Sequence, residues 1–368
     1  MNTAYREFIR YAINNEEVLP ASAKAIDWQD FLSYSNRQGI VGLVFNGVER
    51  ANPNINKYSL LEWISLEQLV AQKNIVTNKC LIEVSDFFKK KNRRSCILKG
   101  QANGLMYPHS ELRSPGDVDI WVEGNQTDII RTVLKVVPDA HYSIHHIKFP
   151  VFKDVSIEVH YRPIYLLNWF RDKKLQKYIN VIEDRQFSNS VSFEGGVIGC
   201  LTDDFNAVYQ ILHMYDHFFS TRNNFKQFID YYYLLKKIGG DCDKKEIKRH
   251  FEDFGVLKYA SGIMWIMKEI LGIEEICLLV AANKKIGRAI LRESDYFGTH
   301  SSNNLIYVFQ QFYANLRLIS LFPSEVLISP LFLVWHQWWR LKTKLSLRKM
   351  PEGQVRMPEG QVSGISLN

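Results

Sequence analysis

Cysteine is scarce. The five present, Cys80, Cys96, Cys200, Cys242 and Cys277, are scattered and odd in number. With no Cys-x-x-Cys pair, neither a disulfide framework nor a cysteine zinc cluster is expected. Unbroken apolar runs are missing too. The most apolar late stretch, LFPSEVLISPLFLVWHQWW, is interrupted by Pro323, Glu325 and Pro330, so no membrane span is read there. The first residues, MNTAYREFIRYAINNEEV, carry charges inside their apolar run and lack the core of a signal peptide. These absences predict a cytoplasmic protein of the reducing compartment. A strong charge imbalance is also absent. The net charge of +7 suits an anionic ligand but gives no ground for expecting sequence-specific DNA binding.

What is present is an ordinary globular composition, 46% apolar and 23% charged over 368 residues, enough for two or three structural units. Residues 1–92 read as an N-terminal helical region. Trp28, Phe31 and Leu32 recur at helical spacing, and Gly39 is a helix stop. An apolar stripe from Ser59 to about Lys91 sustains one long helix, running through Leu60, Leu61, Ile64, Cys80, Leu81, Val84, Phe87 and Phe88. Residues 93–200 change character. CILKG reads as a short strand or a helix entry, QANGLMYP as a short helix closed by Pro108, and DVDIWV as a strictly alternating strand. A helix, two strands around a tight turn at Lys153-Asp154, and a hairpin turning at Gly195-Gly196 follow. Alternating helix and strand mark an α/β or α+β core with a small mixed sheet. Residues 201–345 are helical again. Residues 346–368 repeat MPEGQV and predict a disordered tail.

The chemistry concentrates in residues 95–160. In DVDIWV the strand period of two places Asp117, Asp119 and Trp121 on one face and Val118, Ile120 and Val122 on the other. In VSIEVHY the same arithmetic puts Ser156, Glu158 and His160 together. If the two strands are neighbours, three carboxylates converge. Such a cluster is unfavourable without a compensating divalent cation, and oxygen donors favour Mg²⁺ or Mn²⁺. Mg²⁺ completes its shell with water and phosphate oxygens, so the site implies a phosphate-bearing substrate and suits an in-line phosphoryl displacement. Upstream, Lys99-Gly100-Gln101 supplies a glycine before a short helix, where backbone amides approach a phosphate. Lys99 and Arg113 add positive charge.

The run ILKGQANGLMYPHSELRSPGDVDIWV, followed by SIEVHYRP, resembles the nucleotidyltransferases of the DNA polymerase beta superfamily. More narrowly, it is similar to the bacterial family known as uncharacterised nucleotidyltransferases. The pattern is carried by Lys99-Gly100, Tyr107-Pro108, Arg113, Gly116-Asp117-Val118-Asp119 and Glu158-Val159-His160. Weaker resemblance extends over residues 20–240. It implies a small mixed-sheet nucleotidyltransferase core between helical regions. It also implies transfer of a nucleoside monophosphate from a nucleoside triphosphate to an acceptor hydroxyl, with release of pyrophosphate. Carried over residue by residue, Asp117, Asp119 and Glu158 are the catalytic metal ligands. Lys99, Gly100, Gln101, Arg113 and Ser114 are the nucleotide-binding candidates. The acceptor is a small molecule, sugar, protein or RNA. One departure stands out. The wider superfamily has Gly-Gly or Gly-Ser at the phosphate turn, and this chain has Gly100-Gln101. Either Gln101, Asn103 or Lys99 substitutes for the hydroxyl, or nucleotide binding is weak. That departure supports the alternative of a non-catalytic nucleotide-binding or toxin–antitoxin-like regulatory module on the same fold.

Further candidates for the acceptor cleft are His160, His213, His217, Arg222, Lys226 and Asp230. His160 shares the Glu158 face, where it orients the carboxylate, meets substrate or simply packs. His213 and His217 stand at i and i+4 on one helix, but no HExxH accompanies them and a zinc site there is not expected. The aromatic runs YVFQQFY and FLVWHQWW read as helix core or an interaction surface.

Overall fold

The computed structural model describes residues 2–193, 195–297, 310, 312–328, 335, 338, 339, 342 and 343. The repeat expected to form a disordered tail at 346–368 lies outside the described residues, as does most of the FLVWHQWW run. The chain forms two compact units, neither built from one continuous stretch. One takes Met1–Ile75, Asn103–Pro115 and Asp203–Arg317; the other takes Val76–Ala102, Gly116–Thr202 and the described residues from Leu318 onward.

The first unit is helical. It contains α1 (Thr3–Asn14), α2 (Trp28–Arg37), α3 (Val41–Ala51) and the first part of α4 (Lys57–Lys89). The last is the long helix expected from the apolar stripe. Helix starts follow their capping chemistry. Asn2 accepts from the Ala4 amide, and Asp27 from those of Gln29 and Asp30. Gly39 ends α2 at a φ of 69°, a left-handed conformation that glycine adopts without a Cβ penalty.

The second unit carries the sheet. Its strands are β1 (Ser95–Ile97), β2 (Val118–Val122), β3 (His146–Lys148), β4 (Ile157–His160), β5 (Ser190–Phe193) and β6 (Gly196–Cys200). Between them lie the four-residue α5 (Gln101–Gly104), then α6 (Gln126–Leu134) and α7 (Trp169–Ser188). The sheet order is β3-β4-β2-β1-β6-β5, with β2–β4 and β1–β6 parallel and the other pairs antiparallel. The mixed sheet between helical regions matches the expected α+β class. The alternation in DVDIWV works as the strand period requires. Val118, Ile120 and Val122 enter a core with Leu81, Val84 and Phe88 of α4 and Ile129, Ile130 and Val133 of α6. Fully burying each such side chain contributes about 1.5–3 kcal/mol. The opposite face is left for Asp119 and Trp121.

One local expectation is corrected. Strands β3 and β4 do not meet at a tight turn on Lys153-Asp154. Their pairing runs on to Phe149, whose amide donates to the Ile157 carbonyl at 2.9 Å, and a longer loop follows. Pro150 lacks the N–H needed to extend the ladder. Glycine is required where β6 crosses β1, because a Cβ on Gly199 would lie 2.2 Å from the Ser95 carbonyl oxygen.

The first unit then continues through the helices α8 (Asp203–Ser220), α9 (Phe225–Ile238), α10 (Lys244–Asp253), α11 (Leu257–Trp265) and α12 (Lys284–Ser294). Helix α9 opens with a capping box, Asn224 with Gln227, and ends at Gly239.

Candidate metal and phosphate site

The parallel pairing of β2 and β4 sets Asp119 directly opposite Glu158, and Trp121 opposite His160. Two carboxylates thus stand on neighbouring strands and the same face, as strand phase anticipates. Asp119 is 4% exposed, with a different cationic or polar partner on each oxygen. Lys99 Nζ lies 3.1 Å from Oδ2, and His160 Nε2 lies 3.0 Å from Oδ1. Glu158 Oε2 lies 4.0 Å from the same His160 nitrogen and 3.6 Å from His146 Nδ1. Asp117 sits one residue before β2 and is exposed.

The electrostatics are uneven. Burial, and then the charge of Asp119, push the Glu158 carboxyl above the ordinary carboxylate range. Asp117 adds to that push, while His160 and Lys99 oppose it. Burial also pulls His146 down to about 3, so its approach to Glu158 is a polar contact and not an ion pair. His145 is likewise held well below its ordinary value, chiefly by burial. Three carboxylates against one ammonium leave two negative charges, the histidines aside, on β2, β4 and the residue before β2. That residue set fits a divalent cation. Among the described residues, Asp119, Glu158 and His160 offer ligand atoms within 4.8 Å of one another.

The turn at Gly100-Gln101 is less open than the motif suggests. Gly100 has a φ of 70° just before α5, and a Cβ there would meet only the Asp117 carbonyl oxygen, at 3.8 Å. Conformation, not space, calls for glycine at this position. Gln101 is buried, and its amide donates to Asn78 Oδ1 on α4, so its side chain faces the helix.

The remaining candidates belong to the other compact unit. Arg113 and Asp230 form a buried two-pronged pair, Nε–Oδ1 and Nη2–Oδ2 both 2.7 Å, with the Tyr107 hydroxyl donating to Oδ1. Burial works against the Arg113 charge, and the Asp230 carboxylate more than offsets it, so the guanidinium stays charged. Ser114 follows, partly buried. Arg222 is fully buried at a left-handed φ of 73°, donating to the Phe218 carbonyl and lying 3.5 Å from buried Glu293. The Lys226 side chain runs along Gly39. His213 and His217 pack ring to ring at 4.3 Å, and His217 Nδ1 meets the Thr221 hydroxyl at 2.7 Å.

Strand phase therefore brings together Asp119, Glu158 and His160, with Lys99 and Asp117 around them. It does not reveal His145 and His146, because YSIHHIKF reads only as a strand until the β3–β4 register sets His146 opposite His160. A cavity of about 390 Å³, lined by Ile144, Arg162, Tyr165, Leu166, Trp169 and Asp172 among others, was also invisible in sequence. Tyr165 connects it to the histidines, its ring 4.9 Å from that of His145.

Among the described residues no helix is long and apolar enough to cross a membrane. No curated protein matches the chain. The crystal structure of an antigenic nucleotidyltransferase-like protein from Paracoccidioides brasiliensis is similar over 57% of this chain and 95% of its own, at 10% identity and a TM-score of 0.34. That likeness is too distant to carry an argument. The family description "uncharacterised nucleotidyltransferase" matches residues 24–272, more than half of the chain and including the whole Asp119–Glu158 pair. On that match, the chain belongs to the uncharacterised nucleotidyltransferase family.

Proposed function

We propose that this protein transfers a nucleoside monophosphate from a nucleoside triphosphate to an acceptor hydroxyl, releasing pyrophosphate, with Mg²⁺ or Mn²⁺ as cofactor. The observation that carries this reading is the cross-strand pairing of Asp119 with Glu158, beside Asp117, in a site short of positive charge. Asp117, Asp119 and Glu158 would hold the cation, which when bound neutralises polyphosphate charge and stabilises the leaving oxygen. The protein's own groups do the rest. Lys99, now paired with Asp119, supplies a mobile ammonium for the phosphates. Gly100 lets backbone amides approach them, since the Gln101 side chain is engaged by Asn78. Glu158 takes the acceptor's proton as the new oxygen–phosphorus bond forms and the bond to pyrophosphate breaks. The reaction runs in the cytoplasm, on a small-molecule, sugar, protein or RNA acceptor.

The engaged Gln101 favours one second reading, a nucleotide-binding regulatory module, toxin–antitoxin-like, that keeps the fold without transfer. Thermal shift with each nucleoside triphosphate, with and without Mg²⁺, tests the binding half of both readings. Wild type is expected to be stabilised only with the cation, and Asp119→Asn and Glu158→Gln to lose the shift. Equal shifts in wild type and variants, or none in any, would sink the metal–nucleotide reading. Release of pyrophosphate in the presence of a cell extract then separates transfer from binding alone.

A further inference from the structure

We propose that His145, His146 and His160 form a binding site for a nitrogen-preferring divalent transition-metal ion, of which Zn²⁺ is the reference probe. This site lies beside the carboxylate pair and shares His160 and Glu158 with its surroundings. Each of the three rings offers a nitrogen, and these atoms lie within 4.8 Å of one another. His145 Nε2 and His146 Nδ1 are 3.0 Å apart. A tetrahedral ion with bonds of about 2.0–2.1 Å holds its nitrogen ligands roughly 3.3 Å from one another, so the pair needs little adjustment.

The hydrogen bonds of His160 make the second argument. Its Nδ1 lies 3.3 Å from the Arg162 carbonyl oxygen, and its Nε2 lies 3.0 Å from Asp119 Oδ1. Both neighbours only accept: a doubly protonated ring would serve both, while a neutral imidazole has a single N–H to give. With that proton on Nδ1, the Nε2 lone pair faces a carboxylate, an arrangement that a cation beside them makes favourable. A ring N–H donated to a backbone carbonyl is the usual means by which proteins orient a metal-binding histidine.

The third argument is preorganisation. The His145 carbonyl accepts from the amides of Tyr161 and Arg162, at 3.0 and 3.3 Å. The short stretch that orients His160 therefore also anchors His145. Glu158 Oε2, 3.6 Å from His146 Nδ1 and 4.0 Å from His160 Nε2, stands ready as a fourth ligand. Imidazole donors select Zn²⁺-class ions, whereas Mg²⁺ prefers oxygen and dehydrates reluctantly. The inference is independent of the transfer reaction, because occupancy is read without substrate.

The test begins with full-length protein stripped by chelator. Zn²⁺ and, separately, Mg²⁺ are titrated calorimetrically, and bound metal is measured after desalting. Wild type is expected to retain one equivalent of Zn²⁺ in the presence of excess Mg²⁺. Co²⁺ substitution is expected to give the visible absorption of a nitrogen-ligated ion. His145→Gln and His146→Gln are each expected to weaken Zn²⁺ binding by about 10-fold or more, while Asp117→Asn stays within about twofold. Wild type that retains no Zn²⁺ and shows no such Co²⁺ spectrum overturns the proposal without any variant. Unchanged affinity in both histidine variants overturns it as well, and so does an equal loss in Asp117→Asn, which would place the ion among the carboxylates.

Discussion

Replacing Asp230 by alanine is expected to destabilise the protein by about 3–5 kcal/mol. The figure follows from the burial of its partner. The Arg113 and Asp230 side chains are 4% and 7% exposed, joined by two hydrogen bonds of 2.7 Å. Removing one member of such a pair leaves the other charge buried and uncompensated, which costs about this much. The Tyr107 hydroxyl would also lose its acceptor. By contrast, Lys237–Asp203 also sits at 2.7 Å, but its side chains are 53% and 43% exposed. Solvent screening leaves such a pair worth about 0–1 kcal/mol, and Asp203→Ala is the natural control. Urea unfolding reads the difference. With a slope of about 1–3 kcal/mol/M, Asp230→Ala lowers the midpoint by roughly 1–5 M. Arg113→Met alone is expected to be comparably damaging, and Arg113→Met/Asp230→Leu clearly less so than the two losses added. The cycle also separates two roles for Arg113. A phosphate-holding arginine predicts loss of nucleotide-induced stabilisation with little change in urea midpoint; the buried pair predicts the reverse. A midpoint shift below about 0.5 M in Asp230→Ala, or simple additivity in the double variant, refutes the reasoning.

Three further outcomes follow from single residues. Burial raises the Asp172 carboxyl above its ordinary value although Leu166 and Gln176 donate to it. A raised carboxylate costs stability as pH rises from the unfolded value through the folded one, so Asp172→Asn should raise the urea midpoint at pH 7. That advantage should close in acid, below the ordinary carboxylate range, and an unchanged or lowered midpoint at pH 7 counts against it. Gly100→Ala meets no close atom but must hold a φ of 70°, which costs about 1–2 kcal/mol by the same assay. Gly199→Ala drives a Cβ to 2.2 Å from the Ser95 carbonyl and should be the more damaging of the two, with β1 and β6 losing amide protection in hydrogen exchange. The reverse order would mean the β1–β6 contact yields easily.

Local pattern accounts for what could be read from the chain. The alternation of DVDIWV assigns Val118, Ile120 and Val122 to the core and Asp119 to the opposite face without reference to any partner. The stripe from Ser59 onward specified α4 because helical period is also local. Register and burial are not local. Nothing within YSIHHIKF says that His146 will stand across from His160. Nothing within HSELRSP says that Arg113 will find Asp230, more than a hundred residues away, because charge complementarity between distant segments leaves no periodic trace.

The same distinction separates the two halves of the motif. The carboxylates are placed by strand phase, which a one-residue slip would reverse entirely, so the sequence must specify it strongly. The turn at Gly100-Gln101 depends on where individual side chains are drawn by their neighbours. Gln101 is drawn to Asn78, and Lys99 to Asp119. An ammonium lies against Asp119, while burial raises the Glu158 carboxyl. A divalent ion held by the carboxylates, as proposed, would compete with Lys99 for Asp119 and relieve Glu158 at once. Lys99→Met would remove the competitor while retaining most of the apolar stem. Tighter Mg²⁺ binding with weaker triphosphate binding in that variant is the signature of a lysine that serves the carboxylate first and the phosphates afterwards.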